Sequence, residues 1–194
     1  RIRGAVLSSA TTSGSHDGRM SQFDDATQVA ADGSTAIHDG WDIGGNANGG
    51  YLMALAAAGL RQVADRPDPV SITAHYLSPG RPGPAQVTGT VLKAGRRFTT
   101  VSGALTSGDR TVIQVLGTFG DLASNAASDF VAVHGTPPSL PSFDECVPRE
   151  SNGQVPVPMM DRLAVRLHPD HTGWLRGQKL GVGEMAGWFG FADG

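Results

Sequence analysis

The sequence of 194 residues predicts an α+β fold in which an antiparallel sheet wraps around one long central helix. Three observations predict it. A Gly/Asn-rich stretch, Gly44-Gly45-Asn46-Ala47-Asn48-Gly49-Gly50, runs into an Ala/Leu-rich segment with helical spacing. Long segments of alternating character follow, parted by Gly, Pro and Asp turns. A proline-rich break then separates these from two shorter alternating segments near Gly194.

Taken in order, residues 1–22 are small, polar and unpatterned. They read as a flexible arm, or as sequence added to the natural chain, with order expected from Phe23. Thr27–Ala31 and Ser34–Trp41 read as two short strands around a turn at Asp32-Gly33. The helix is expected over Gly49–Ala64. Tyr51, Leu55 and Ala58 recur at helical spacing, as do Leu52, Gly59 and Val63, and Pro67 and Pro69 end the run. Val70, Ile72, Ala74 and Tyr76 alternate with Ser71, Thr73 and His75, which predicts a strand over Val70–Ser78. Ala85–Ala94, Phe98–Thr106 and Thr111–Phe119 are the next strands, with corners at Pro79–Pro84, Gly95-Arg96-Arg97 and Ser107-Gly108-Asp109. Together with Val70–Ser78 they are expected to form an antiparallel meander. Leu122–Pro158, with its six prolines among 137–158, reads as an exposed linker. Met160–His168 and Gly183–Ala192 read as two further strands.

Composition narrows the function classes. Apolar residues make up 39% and charged residues 17%, a balance that supports a packed core. The net charge of -3, with no long Lys/Arg block, argues against a nucleic-acid binder. No apolar run is long enough to span a bilayer, so no membrane partner is expected. The single cysteine, Cys146, excludes an intrachain disulfide framework and suits a reducing, cytoplasmic setting. Cys146 has no histidine at a motif spacing, so a nucleophilic role is not expected. The histidines are scattered, so no metal site is expected, and no cofactor is implied.

The Gly/Asn stretch is the strongest chemical signal. Free backbone N–H groups at a helix start point outward, at the positive end of the helix dipole. Such a start holds an oxyanion, a thioester carbonyl or a phosphate, and glycine admits close approach. The ordinary alternative is a glycine-rich loop before a core helix. The stretch lacks the Gly-Lys-Ser/Thr ending of a P-loop, and no βαβ unit follows it.

Four separated signatures occur in order between Phe23 and Asp121. They are Gly49-Gly50-Tyr51-Leu52; His75-Tyr76-Leu77-Ser78-Pro79-Gly80; Val91-Leu92-Lys93-Ala94-Gly95-Arg96-Arg97-Phe98-Thr99-Thr100; and Gly117-Thr118-Phe119. In these the chain resembles the N-terminal half of acyl-CoA thioesterases of the thioesterase II type, which fuse two hotdog repeats. The resemblance implies a hotdog domain over 23–121, a Pro-rich linker over 122–158, and the opening strands of a partial second hotdog repeat over 159–194. It also implies an acyl-CoA substrate, thioester hydrolysis, and a catalytic aspartate with Gln and Thr/Ser partners in the second repeat. That aspartate would lie beyond Gly194, which leaves the catalytic residues unknown and sets the expectation of a truncated chain or of completion by another chain.

Within the domain, Asn46, Asn48, Gly49 and Gly50 are the expected oxyanion or substrate-binding residues, with His75 as a further binding residue. Asn46 and Asn48 either supply side-chain donors or take left-handed and capping roles. His38, Asp39 and Asp42 precede the helix and are weaker candidates for a general base. Tyr51 is expected to pack. Arg96 and Arg97 are the expected contacts to the phosphates of coenzyme A, ahead of Arg81 and Lys93. Two functions follow: an acyl-CoA thioesterase hydrolysing fatty acyl-CoA, or a non-catalytic acyl-CoA-binding or assembly subunit. A hydratase-type hotdog enzyme ranks below both, for want of its signature near the turn. An exposed sheet edge predicts a homodimer or higher homo-oligomer.

Overall fold

The computed structural model describes residues 2–6, 20–125, 136, 138–149, 157–179, 181 and 183–193. In chain order its elements begin with β1 (Ile2–Val6), α1 (Gln22–Ala26), β2 (Ser34–Ile37), β3 (Asp42–Ile43), β4 (Asn46–Ala47) and α2 (Gly49–Ala64). Then come β5 (Asp68–Tyr76), β6 (Gly83–Ala94), β7 (Thr99–Ser107), β8 (Arg110–Gly120), β9 (Val147–Pro148), β10 (Leu163–Leu167) and β11 (Met185–Phe191), with short 3₁₀ turns between the later ones. Two compact units result, one over 22–131 and one from 1–21 with 132–194.

In the first unit, α2 forms where its periodicity and alanine content predict. Asn48 caps its start, and Asp65 ends it in the left-handed conformation (φ 51°), donating its N–H to the Gln62 carbonyl. The sheet runs in the order β2-β6-β7-β8-β5, antiparallel at each neighbouring pair. The expected four-strand meander is therefore corrected. Only β6, β7 and β8 follow one another, whereas β5 crosses to the far edge and pairs with β8, Ile72 opposite Gly117 and Tyr76 opposite Ile113. Residues 77–82 carry this crossover, so the corner expected over Pro79–Pro84 is a connection across the sheet rather than a hairpin, and Gly83 and Pro84 already pair with β2.

Leu52, Leu55, Ala56, Gly59 and Leu60 bury one face of α2 against the sheet, where Val87, Val101, Leu105, Ile113 and Phe119 are also buried. Each large side chain so buried stabilises by about 1.5–3 kcal/mol. The approach is close because glycines floor it. A Cβ on Gly103 would stand 2.3 Å from Leu60 Cδ2, and one on Gly89 2.6 Å from the same atom.

Thr27–Ala31, expected as a strand, is not one. Gln22–Ala26 is helical, Thr27 Oγ1 closes it on the Phe23 carbonyl (2.8 Å), and Ala30 donates to Ser34 across the turn. The Val29 carbonyl is taken by Gln62 Nε2 (2.8 Å) from α2, so a helix side chain supplies what a strand neighbour would.

The second unit holds a sheet in the order β1-β11-β10-β9, with β1 parallel to β11 and the other pairs antiparallel. The arm expected over 1–22 thus includes a paired strand at Ile2–Val6 and the α1 start at Gln22, while residues 7–19 lie outside the described ones. The linker expected over 122–158 is likewise not uniformly exposed. Cys146 is buried, Val147 pairs with Leu167, and Arg166 Nη1 donates to the carbonyls of Phe143, Asp144 and Cys146. One guanidinium therefore gathers a proline-flanked loop that sequence alone reads as extended. Residues 126–135 and 150–156 of that linker lie outside the described ones.

Candidate functional site

The Gly/Asn stretch resolves into a hairpin followed by a cap. Gly44 and Gly45 both take positive φ (59° and 80°), the geometry of a tight primed turn between β3 and β4. Asp42 stands opposite Ala47, and the pairing continues one step further as the Asn48 N–H donates to the Trp41 carbonyl (2.8 Å). The Ala47 N–H donates to the Gly80 carbonyl (2.9 Å), which ties the hairpin to the β5–β6 connection.

Asn48 then settles the helix start. Its Oδ1 accepts from the Gly50 N–H (2.8 Å) and the Tyr51 N–H (3.2 Å). The expectation of freely outward N–H groups is corrected here, because the asparagine side chain occupies two of them. The same two bonds fix which way the amide faces: with Oδ1 turned to the helix, Nδ2 is the atom turned away from it. Gly49 N–H makes no hydrogen bond among the described residues. The start of α2 therefore offers one side-chain donor and one backbone donor, both neutral, at the positive end of the dipole.

Tyr76, a strand residue by its alternation, closes one side. Its hydroxyl donates to the Gly49 carbonyl (2.7 Å), and its ring lies 3.2 Å from where a Gly49 Cβ would stand. The signal was present in the alternation, since Tyr76 shares the helix-facing side of β5 with Ile72 and Ala74. Below, Tyr51 is core, as expected. Its ring stacks on Trp41 (centroids 5.5 Å apart), and its hydroxyl accepts from the His38 N–H and donates to the Ala26 carbonyl. Burial raises its pKa above the ordinary 10.0.

Asp42 is 5% exposed. Its Oδ2 accepts from the Gly45 N–H (3.0 Å), and its Oδ1 is buried with no hydrogen-bond partner among the described residues. Asn46 is exposed on β4, opposite Ile43, and His38 and Asp39 are exposed before the hairpin.

Gly50, Ala54, Ala57, Ala58 and Arg61 follow one another at helical spacing and form one stripe of α2. A groove of about 530 Å³ runs over this stripe from Ala54 onward, walled by Val29, Pro67, Pro69 and Phe119. Its polar lining comes from Asp24, Thr27, Gln28, Arg61 and Gln62.

Residues 37–120 match the family model of the acyl-CoA thioesterase N-terminal domain. This segment has the hotdog fold and is similar to that thioesterase domain. A candidate thioesterase II from Thermobifida fusca is similar over 82% of this chain and 59% of its own, at 28% identity and a TM-score of 0.70. A protein of unknown function with a hot dog fold from Alicyclobacillus acidocaldarius shares the fold over 77% of this chain and 56% of its own, at 18% identity and a TM-score of 0.67. An uncharacterized protein of Mycobacterium tuberculosis is 28% identical over 149 residues, 68% of this chain. The chain spans 49% of that relative's length.

The hotdog domain separates the remaining expected residues. Arg96 and Arg97 are exposed at the β6–β7 corner, which Arg66 holds by donating to the Gly95 and Arg96 carbonyls (3.3 and 3.2 Å). Arg66 follows the C-terminus of α2, so these arginines lie at the opposite end of the helix from Asn48, about 24 Å away for its 16 residues. Arg81 instead follows Gly80, whose carbonyl contacts the hairpin, and is the arginine beside the helix start. His75 is exposed opposite Gln114, on the face of the sheet that Tyr76 does not share. Among the described residues no helix is long and apolar enough to cross a membrane.

Proposed function

We propose that this hotdog domain binds an acyl-CoA thioester and hydrolyses it to the acid and coenzyme A. The orientation of Asn48 carries the reading. A thioester carbonyl placed between Asn48 Nδ2 and the Gly49 N–H gains two neutral donors where negative charge develops on its oxygen. Tyr76 fixes the Gly49 peptide and limits the approach to one side. The acyl chain lies along the groove over Ala54, Ala57 and Ala58, whose small side chains leave it room. That stripe begins at Gly50, so a chain bound in the groove brings its carbonyl end to the helix start. Arg81 is placed to meet a phosphate there. Arg96 or Arg97 meets one only if the ligand runs the length of α2.

A second reading is acyl-CoA binding without turnover, for which the groove over Ala54, Ala57 and Ala58 and the two donors at the helix start suffice. Thiol release from a panel of acyl-CoA esters, with calorimetric binding of the same esters, separates the two. Turnover supports hydrolysis, binding without turnover supports the second reading, and the absence of both removes the acyl-CoA assignment. The β5 edge of the sheet, nine residues long and with β8 as its one neighbour among the described residues, is proposed to pair with a second copy. A monomer by light scattering at assay concentration rules this out.

A further inference from the structure

We propose that the outer face of the first unit's sheet is an interface that takes a second copy of this chain, face to face. The helix covers the other face, and strand alternation fixes which residues point away from it. One outward row runs across four strands as Thr73, Leu116, Ser102 and Thr90, each directly opposite the next. The neighbouring row is His75, Gln114, Ala104 and Thr88. A third, Ser71, Thr118 and Thr100, leads to an apolar end, where Phe98 and Val70 come within 3.0 and 3.2 Å of the place a Gly120 Cβ would take. Leu116, on an inner strand, is 49% exposed, Phe98 42% and Val70 46%. The face thus combines rows of hydroxyls with uncovered apolar side chains.

Charge decides the partner. The chain is 17% charged, yet none of these outward positions carries a carboxylate, an ammonium or a guanidinium. Lys93, opposite Thr100, stands at the margin. In a two-fold interface each residue near the axis meets its own copy, so a charge there meets a like charge. An uncharged face avoids that conflict. Hydroxyls both donate and accept, so a Thr/Ser face complements itself, as a face of carboxylates or guanidinium groups does not. Among the described residues these hydroxyls make only long bonds to one another and to Gln114, Thr100 to Thr118 at 3.5 Å and Gln114 to Ser102 at 3.4 Å, which leaves them open to a facing sheet. Four strands about 4.8 Å apart and three rows about 6.6 Å apart make a patch of roughly 19 by 20 Å. A contact of that size falls in the weak, concentration-dependent class, below about 1,200 Å² of total buried surface. Face packing leaves the backbone of the β5 edge free, so it is compatible with edge pairing, and it does not depend on what α2 binds.

The test reads particle mass by sedimentation equilibrium on the full chain, up to roughly 1 mM, where even weak pairing is populated. Leu116→Lys sets a charge in the middle of the face, and the like charges it brings together are expected to weaken pairing by about tenfold or more. At the same concentration the wild type is expected to approach twice the mass of Leu116→Lys, with both chains folded by circular dichroism. Leu116 is on β8, one strand in from β5, so edge pairing is the same in both. Gln178→Lys, which adds the same charge at an exposed position of the second unit, is expected to assemble as the wild type does. Should Leu116→Lys not fold, Ala104→Lys in the neighbouring row is expected to lower the mass in the same way. Equal masses for the wild type and the folded face variant overturn the proposal, whether both are monomers or edge-paired dimers, and leave the face to solvent or to an unlike partner. An equal fall in Gln178→Lys overturns it too, because net charge and not the face is then the cause.

Discussion

Asn48 is given two jobs by one side chain, and substitution separates them. Its Oδ1 caps α2 through the Gly50 and Tyr51 N–H groups, and its Nδ2 is the donor offered to a ligand. Asn48→Ala removes both. Loss of an N-cap costs about 1 kcal/mol, within a range of roughly 0.5–2. In a domain of this size that lowers the melting temperature by about 4–8 °C per kcal/mol. Asn48→Asp keeps an oxygen for both N–H groups and adds a negative charge at the positive end of the helix, worth about 0.3–1 kcal/mol. It should therefore melt at or above wild type. Yet it turns a donor into an anionic oxygen facing the developing oxyanion, and loss of one such donor costs about 10²–10³ in kcat. Thermal denaturation followed by circular dichroism, together with thiol release, reads both effects. The reasoning on the cap is refuted if Asn48→Asp melts as low as Asn48→Ala. The reasoning on the donor is refuted if Asn48→Asp hydrolyses acyl-CoA as the wild type does.

Tyr51→Phe strands the His38 N–H and the buried Ala26 carbonyl, and is expected to destabilise by about 1–3 kcal/mol in urea titration. Because burial raises the folded-state pKa of Tyr51 above 10.0, the unfolded chain ionises first, and stability falls as pH rises from that value. The same variant is expected to flatten that alkaline loss. Asp65 holds φ 51° at the negative end of α2, so Asp65→Asn, which tolerates the same backbone and drops the charge, is expected to stabilise by about 0.3–1 kcal/mol. Gly103→Ala places a Cβ 2.3 Å from both Leu60 Cδ2 and the Thr88 carbonyl oxygen, and a loss of about 1–3 kcal/mol or more is expected, read as a lower urea midpoint.

The helix and the long strands were legible because each repeats one short-range rule many times. Gly49–Ala64 satisfies helical spacing over its whole length, and β6, β7 and β8 begin and end within two residues of their expected bounds. Strand order was not legible. Alternation assigns faces, but it is silent on which edge a strand joins, and β5 lies beside β8 because its connection crosses the sheet. Thr27–Ala31 failed for a related reason: five residues are too few for alternation to outweigh a turn closed by side chains from elsewhere. At the site, the Gly/Asn stretch is legible as a turn before a helix, whereas its internal arrangement needs coordinates. Nothing in the spacing tells that Asn48 caps while Asn46 pairs with Ile43, or that Asp42 is buried while Asp39 is exposed. Those differences come from a two-glycine turn that folds six residues back on themselves.

The polarity of α2 also bears on where an anionic ligand fits. Its start presents unpaired donors and positive potential, with Arg81 following Gly80 nearby. Its end presents the last carbonyls, the Asp65 carboxylate, and a guanidinium from Arg66 already engaged with the Gly95 and Arg96 carbonyls. Cations at a helix C-terminus stabilise the fold by offsetting that negative end. Arg96 and Arg97 stand beside this end, so part of their field is spent there before any phosphate arrives. A phosphate at that corner must compete with the fold for the same charge, whereas one beside Arg81 meets a dipole of the favourable sign. The helix thus orders the two arginine sites by the direction in which its peptides point, an asymmetry that residue counting does not reveal.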